Sequence, residues 1–576
     1  MQSMLAVSGQ KSHLEVFMFS EPILVCGRWY YENPKFLQKR RYATDESRKD
    51  RAVVNRLSKP LLSAHHHRRR SASSAGALLQ LVACLGLAFG PLGCARNSPP
   101  PNPPVHEVDS ALDDQMRPRT NVVLISIDTL RADHLSAYGY EFETTPNIDR
   151  VAEEGVLFEN AIAETSWTLP AHASMLTGLP SLVHQVVFDG KRLTEGHTTL
   201  AEVLSAAGYR TRAYVSGPYL HPIFGFDQGF ETYEVIGETI YDEPGFSFER
   251  LESDPALQLE FAEREIQSDR NLTSGEIADA VVGDLEAVQD APFFLFLHFF
   301  DVHFDYIPPD AYQKKFYPDY PGSLDANDYA TNPKVNAEMS PEDLRYVTSL
   351  YDGEILWTDE HIGRIMDALD EAGLHDNTLV VITSDHGEEF FEHGNKGHRY
   401  TLFDEQLLVP LVLRLPGTLP PGLRIPDQVR TIDLMPTILD IVGIPTDALM
   451  LGRSVLPLID ADSSEEERPA LSYLLWPESY EITSLRWKNR KIISRLAVGE
   501  TRPQVLFVDL VTNPQERKHP VSPEDREAIK TMFARMRELQ KEEIALGETL
   551  EFSPAEDVEL PAEMREALEK LGYVQE

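Results

Sequence analysis

Three stretches of the chain leave little choice but strands buried on both faces. Asn121–Ile127 (NVVLISI), Phe293–Leu297 (FFLFL) and Leu379–Thr383 (LVVIT) are short, continuous and rich in β-branched or aromatic residues. A half-exposed strand would alternate, and a core helix would run longer. Such runs belong to parallel sheets covered by helices, so the expected class is α/β. Each run also ends in polar chemistry. The first passes to Asp128, the second to His298, Asp301, His303 and Asp305, and the third to Ser384-Asp385-His386-Gly387. Ligands of open α/β sheets gather beyond the carboxyl ends of the strands. One such end is as well explained by a helix cap; three together point to a metal site.

The stretch Glu164–Gly178 (ETSWTLPAHASMLTG) supplies a fourth component. Thr168 precedes Pro170 and a run of good helix formers, with proline read at the first helical position, so its hydroxyl is expected at a helix N-terminus. That end carries unpaired N–H groups and the positive pole of the helix dipole. A hydroxyl there suits attack on a phosphate or sulfate ester. Asp128, Asp385, His386 and Thr168 together offer three oxygens and one nitrogen. That set fits zinc or manganese better than an all-oxygen calcium cage, with calcium and magnesium left open.

Charge narrows the partners. Residues 1–94 hold 14 Lys/Arg against 6 Asp/Glu, a net +8 that leaves −47 for the rest of a chain totalling −39. So acidic a body repels phosphate backbones, and nucleic acid is excluded as a partner class. The three cysteines are Cys26, Cys84 and Cys94. Everything beyond Cys94 is therefore without a disulfide, a thiolate metal ligand or a cysteine nucleophile.

The front of the chain reads as targeting sequence. Residues 68–94 open with Arg68-Arg69-Arg70, continue through an apolar run and end in Leu92-Gly93-Cys94. This is the layout of a signal peptide with a lipobox-like end, Cys94 being the expected site of lipid attachment in a bacterial cell envelope. Residues 1–67 carry no persuasive periodicity and are expected to be a mis-assigned or unstructured extension. Residues 95–118, including NSPPPNPPV, form a proline-rich tether. The catalytic domain is placed at 119–460 and a C-terminal subdomain at 461–576.

Several ordered motifs then carry a resemblance. IDTLRADHLSAYGY (127–140), TLPAHASMLTG (168–178), FLHFFDVHFDYIPP (296–309), YDGEILWTDEHIG (351–363), SDHGEEFFEHG (384–394) and LFVDLVTNPQE (506–516) resemble the sulfatase family of the alkaline phosphatase superfamily. The fold this implies is a large mixed, mostly parallel sheet sandwiched by helices, followed by a small antiparallel sheet with a helix. By the resemblance, Asp128, Asp385 and His386 are metal ligands, Thr168 holds the nucleophile position, and His303 and His398 contact the ester group. A second metal is possible, with Asp301, His303, Asp305 and His398 as candidates; hydrogen bonds from His303 and His398 to the ester are the preferred alternative.

The departures bear on substrate. Sulfatases oxidise a cysteine or serine at the nucleophile position to formylglycine, whereas Thr168 has a methyl-bearing carbon, and no formylglycine is expected. His172 stands where the motif has arginine, as a replacement donor or an acid. A formylglycine hydrate releases sulfate by breaking its own C–O bond; a threonine ester needs attack by water at phosphorus or sulfur. The expectation is a metal-dependent hydrolase favouring phosphate mono- or diesters, acting on a small-molecule, glycan or lipid ester. Three alternatives remain: a sulfuric ester hydrolase without formylglycine, an envelope phosphoalcohol-headgroup transferase, and a degenerate binding protein.

Elsewhere, Arg131 and Asp133 are read as a pair or a helix cap. The acids of 351–363 are read as the polar face of an amphipathic helix, and 231–275 as an acidic insertion. Residues 310–337 are read as a loop bordering the site, and 522–546 and 563–574 as helices.

Overall fold

The computed structural model describes residues 119–188, 191–237, 272–289, 291–327, 329–330, 332–460, 467–477, 479–550 and 556–557. The extension, signal peptide and tether, most of the acidic insertion and the helix expected at 563–574 lie outside the described residues.

Eight strands form the main sheet: β1 (Asn121–Ile127), β2 (Val156–Ile162), β3 (Arg210–Val215), β4 (Thr232–Val235), β5 (Phe293–Phe299), β6 (Thr378–Ser384), β7 (Leu408–Arg414) and β8 (Leu423–Arg430). Their order across the sheet is β8-β2-β7-β6-β1-β5-β3-β4. Strand β7 pairs antiparallel with both β2 and β6, and every other pairing is parallel. The sheet is therefore mixed and mostly parallel. All strands except β7 deliver their carboxyl ends to one edge, and β1 lies between β5 and β6, so the three polar strand ends become neighbours.

Period-two alternation decides what each face holds. Val122 and Leu124 join Phe294, Phe296, Leu379 and Val381 in one apolar cluster. Val123, Ile125, Phe293, Leu295, Val380 and Ile382 join the other. Burying each such side chain contributes on the order of 1.5–3 kcal/mol before entropy is counted. The same phase carries Ser126 and Asp128 of the β1 segment, and His298 of β5, onto the first face. Helix α1 (Thr168–Thr177) packs there, its Leu169, Ala173 and Met175 and the preceding Trp167 within that cluster. On the second face lie α2 (Ser274–Val288) and the long α3 (Pro341–Glu371).

Helix α3 departs from the sequence reading. Asp352, Glu354 and Asp359 are buried rather than forming a solvated face. Asp352 accepts from His134 Nδ1 and Tyr140 Oη, each at 2.8 Å. Asp359 accepts from the backbone N–H groups of Asn147 at 3.0 Å and Ile148 at 2.8 Å, at the start of the helix Pro146–Glu153. Glu354 takes the N–H of Ile307 at 2.5 Å. These acids tie α3 to neighbouring loops that need acceptors. The loop expected at 310–337 also contains a short helix, Asp310–Phe316.

A second sheet is an antiparallel meander: β9 (Ala470–Trp476), β10 (Tyr480–Trp487), β11 (Arg490–Ala497) and β12 (Gln504–Asp509). Helix α4 (Pro523–Thr549) covers it, Ile529, Met532 and Met536 packing on Leu471, Tyr473, Leu485, Ile492 and Phe507. Strand β9 also reaches the segment before α1. Ser472 Oγ donates to the Ala163 carbonyl at 2.9 Å, and Tyr473 N–H to the Glu164 carbonyl at 3.0 Å.

Candidate active site

Thr168 is the first residue of α1, behind an extended Trp167, so Pro170 falls third rather than first. Proline is tolerated there because the early N–H groups lack intrahelical acceptors in any case. The Thr168 hydroxyl does not cap the helix. It donates to Asp128 Oδ2 at 3.3 Å and lies 3.4 Å from His386 Nε2. His386 Nδ1 donates to the Gly387 carbonyl at 3.0 Å, which turns Nε2 toward the two carboxylates. That nitrogen is 3.6 Å from Asp128 Oδ1 and 3.4 Å from Asp385 Oδ2.

Asp128, Asp385 and His386 thus converge within 4.8 Å of one another, all three fully buried. Asp128 Oδ1 and Asp385 Oδ2 have no hydrogen-bond donor. Burial pushes both carboxyl groups above the ordinary carboxylate range, and the neighbouring Asp128 charge pushes Asp385 further. Two unpartnered buried carboxylate oxygens beside an imidazole lone pair form a nest of acceptors, an arrangement that a divalent cation satisfies. The residues fit the metal that the fold implies.

Around this centre stand four more histidines. His303 Nδ1 donates to the Phe304 carbonyl at 2.6 Å, and His398 Nδ1 to Glu388 Oε2 at 3.2 Å. The rings of His386 and His398 are 4.6 Å apart. Burial lowers His303 to about 4 and His398 well below the ordinary imidazole value, so both are neutral. His172 packs beneath Thr168. Its Nδ1 meets the Thr168 carbonyl at 2.9 Å and its Nε2 the Ser126 hydroxyl at 3.0 Å, so both ring nitrogens are engaged. Burial lowers it to about 3.

His298, which the sequence reading placed at a strand end without a role, lies inside β5 opposite Ser126. The signal that could have found it is its phase with Phe294 and Phe296 in FFLFLHF, which turns it toward α1.

The other second-metal candidates have separate partners. Asp301 accepts from Thr273 N–H, Thr273 Oγ1, Ser274 N–H and Trp357 Nε1, and so caps α2. Asp305 accepts from Tyr329 N–H. Arg131 and Asp133 form the expected pair at 2.8 Å. Arg399 was not anticipated. Its guanidinium lies 3.9 Å from the Trp167 ring and 4.8 Å from that of Trp476, stacked on the residue that precedes Thr168 in the chain.

A cluster able to hold a metal ion at the carboxyl edge of a mixed α/β sheet, with a hydroxyl at a helix N-terminus, is the arrangement expected of an ester hydrolase. The sulfatase family profile matches residues 120–444, and an N-sulphoglucosamine sulphohydrolase C-terminal profile matches 391–542. The chain belongs to the sulfatase family. It is 28% identical over 427 residues to the multifunctional alkaline phosphatase superfamily protein PehA of Trinickia caryophylli, covering 62% of this chain and 80% of that one. It is 26% identical over 391 residues to mouse (Mus musculus) iduronate 2-sulfatase, covering 56% and 69%. The phosphonate monoester hydrolase of Agrobacterium radiobacter superposes with a TM-score of 0.56 at 23% identity, over 74% of this chain and 96% of that one.

Proposed function

We propose that this hydrolase acts on phosphate esters in preference to sulfate esters, through a covalent phospho-threonine at Thr168. The observation that carries the reading is the Thr168 hydroxyl itself, donating to Asp128 in the first turn of α1 in a chain whose last cysteine is Cys94. The names of PehA and the phosphonate monoester hydrolase add support from phosphorus chemistry within the superfamily.

Asp128, Asp385, His386 and Thr168 would hold the divalent ion. When bound, that ion neutralises ester oxygens and favours the deprotonated hydroxyl. The chain's own groups do the rest. Asp128 orients the Thr168 O–H, and the opening amides of α1 face the anion. Thr168 Oγ forms a bond to phosphorus, the bond to the alcohol oxygen breaks, and the alcohol departs with the hydroxyl proton. Water then attacks phosphorus, the bond to Thr168 Oγ breaks, and phosphate leaves with the hydroxyl restored. His303 and His398, buried and neutral beside the centre, serve as the bases that take the water's proton.

Acid quenching during turnover of a phosphate ester, followed by peptide mass spectrometry, tests the covalent step. Phosphate on the peptide containing Thr168, absent in Thr168→Ala, is the expected result. An unmodified peptide under burst conditions, with turnover intact, would refute it.

A further inference from the structure

A buried imidazole beside Asp128, that of His298, has no part in this account. His298 is fully buried in β5, in a strand otherwise built of phenylalanine and leucine. Its Nδ1 lies 2.8 Å from the Ser216 carbonyl, which can only accept, so the ring proton sits on Nδ1. Nε2 is then a lone pair, and it has no hydrogen-bond partner. What it faces is another acceptor, Asp128 Oδ2 at 3.5 Å. A ring nitrogen of His298, one of His172 and an Asp385 carboxylate oxygen also lie within 4.8 Å of one another. A lone pair aimed at a carboxylate in a dry interior is unfavourable unless a cation lies between them.

His172 shares the neighbourhood but not the vacancy, because the Thr168 carbonyl and the Ser126 hydroxyl occupy its two nitrogens. Among the described residues, the buried acceptors without a partner include Asp128 Oδ1, Asp385 Oδ2 and His298 Nε2. They come from three adjacent strands, β6, β1 and β5, all at the same sheet edge.

We infer that His298 is a metal ligand, adding through Nε2 a second imidazole nitrogen to the centre served by His386. The inference rests on the metal-centre reading above and sharpens it. Two nitrogens beside the carboxylates bias the site toward zinc or manganese and against calcium and magnesium, which prefer oxygen. The Ser216 carbonyl fixes the tautomer, the usual arrangement for a ligating histidine.

The test uses the whole protein loaded with copper(II) and read by pulsed EPR, with zinc affinity measured by chelator competition. Two coordinated imidazoles are expected in the wild type and one in His298→Ala, with zinc binding at least about tenfold weaker. His298→Asn is the folding control, because its amide can keep the bond to the Ser216 carbonyl while lacking the Nε2 lone pair. It should also show one imidazole and weakened zinc. A wild type that binds metal through a single imidazole, or a His298→Asn protein with two imidazoles and unchanged zinc affinity, overturns the assignment. A wild type that binds no metal overturns the metal-centre reading with it.

Discussion

His303 and His398 pack edge to face with ring centroids 4.9 Å apart, and each spends its Nδ1 on a fixed acceptor. Burial keeps both rings uncharged, lowering His398 well below its ordinary value and holding His303 down to about 4. A depressed histidine binds its proton later in the folded protein than in the unfolded chain. Its contribution to stability is thus complete above about pH 6.5 and is lost as the pH falls toward 4. The kcat/KM profile is expected to stay level from pH 7 to about 5 and to fall below that. A break near 6.5 in a profile on a pH-insensitive substrate would show that neither ring is desolvated in the working enzyme.

His172 touches the Thr168 carbonyl, not its hydroxyl, so its place is that of a positioning residue. Replacing it by Ala should lower kcat by about 10–100-fold while leaving KM and the pKa values of the profile unchanged. A change in the pH limbs would instead give it a proton-transfer role.

Asp301 gathers three donors at the start of α2 and a fourth from Trp357. Asp301→Ala should destabilise the fold by about 2–4 kcal/mol, as buried donors lose their acceptor. Bound metal per folded molecule should not change. Loss of metal without loss of stability, read by calorimetry and elemental analysis on the same samples, would restore Asp301 as a ligand.

Lys396 Nζ donates to the carbonyls of Tyr329, Asn332 and Val335, and burial lowers it to about 8. It fastens Tyr329, Asn332 and Val335 beside a cavity that Phe304, Phe391 and His398 also line. Lys396→Met should raise KM several-fold with little change in kcat, as the loop loses three charge-assisted bonds. An equal fall in kcat and kcat/KM would place Lys396 in the chemistry.

The sequence made the candidate site at the sheet edge legible because strands buried on both faces cannot hide polar ends. Asp128, Asp385 and His386 announced themselves by terminating apolar runs, and Thr168 by its place before a helix. The acids of α3 were misread for an equally physical reason. Helical periodicity reports a polar stripe but not whether loops such as Asn147–Ile148 will cover it and consume its oxygens. His298 was passed over because it was read as leaving the strand, although its phase with Phe294 and Phe296 put it inside. Asp301 looked like a ligand because only the folded chain brings Thr273 and Trp357 to it.

The central claim is tested most directly by one panel. Rates on a matched aryl sulfate, phosphate monoester and phosphodiester are measured for wild type and Thr168→Ala, with metal content assayed on the same samples. The account predicts that phosphate esters are turned over fastest, and that Thr168→Ala loses at least about a thousandfold in kcat while keeping its metal. An aryl sulfate preferred by a wide margin, or a Thr168→Ala enzyme that remains active, would contradict it.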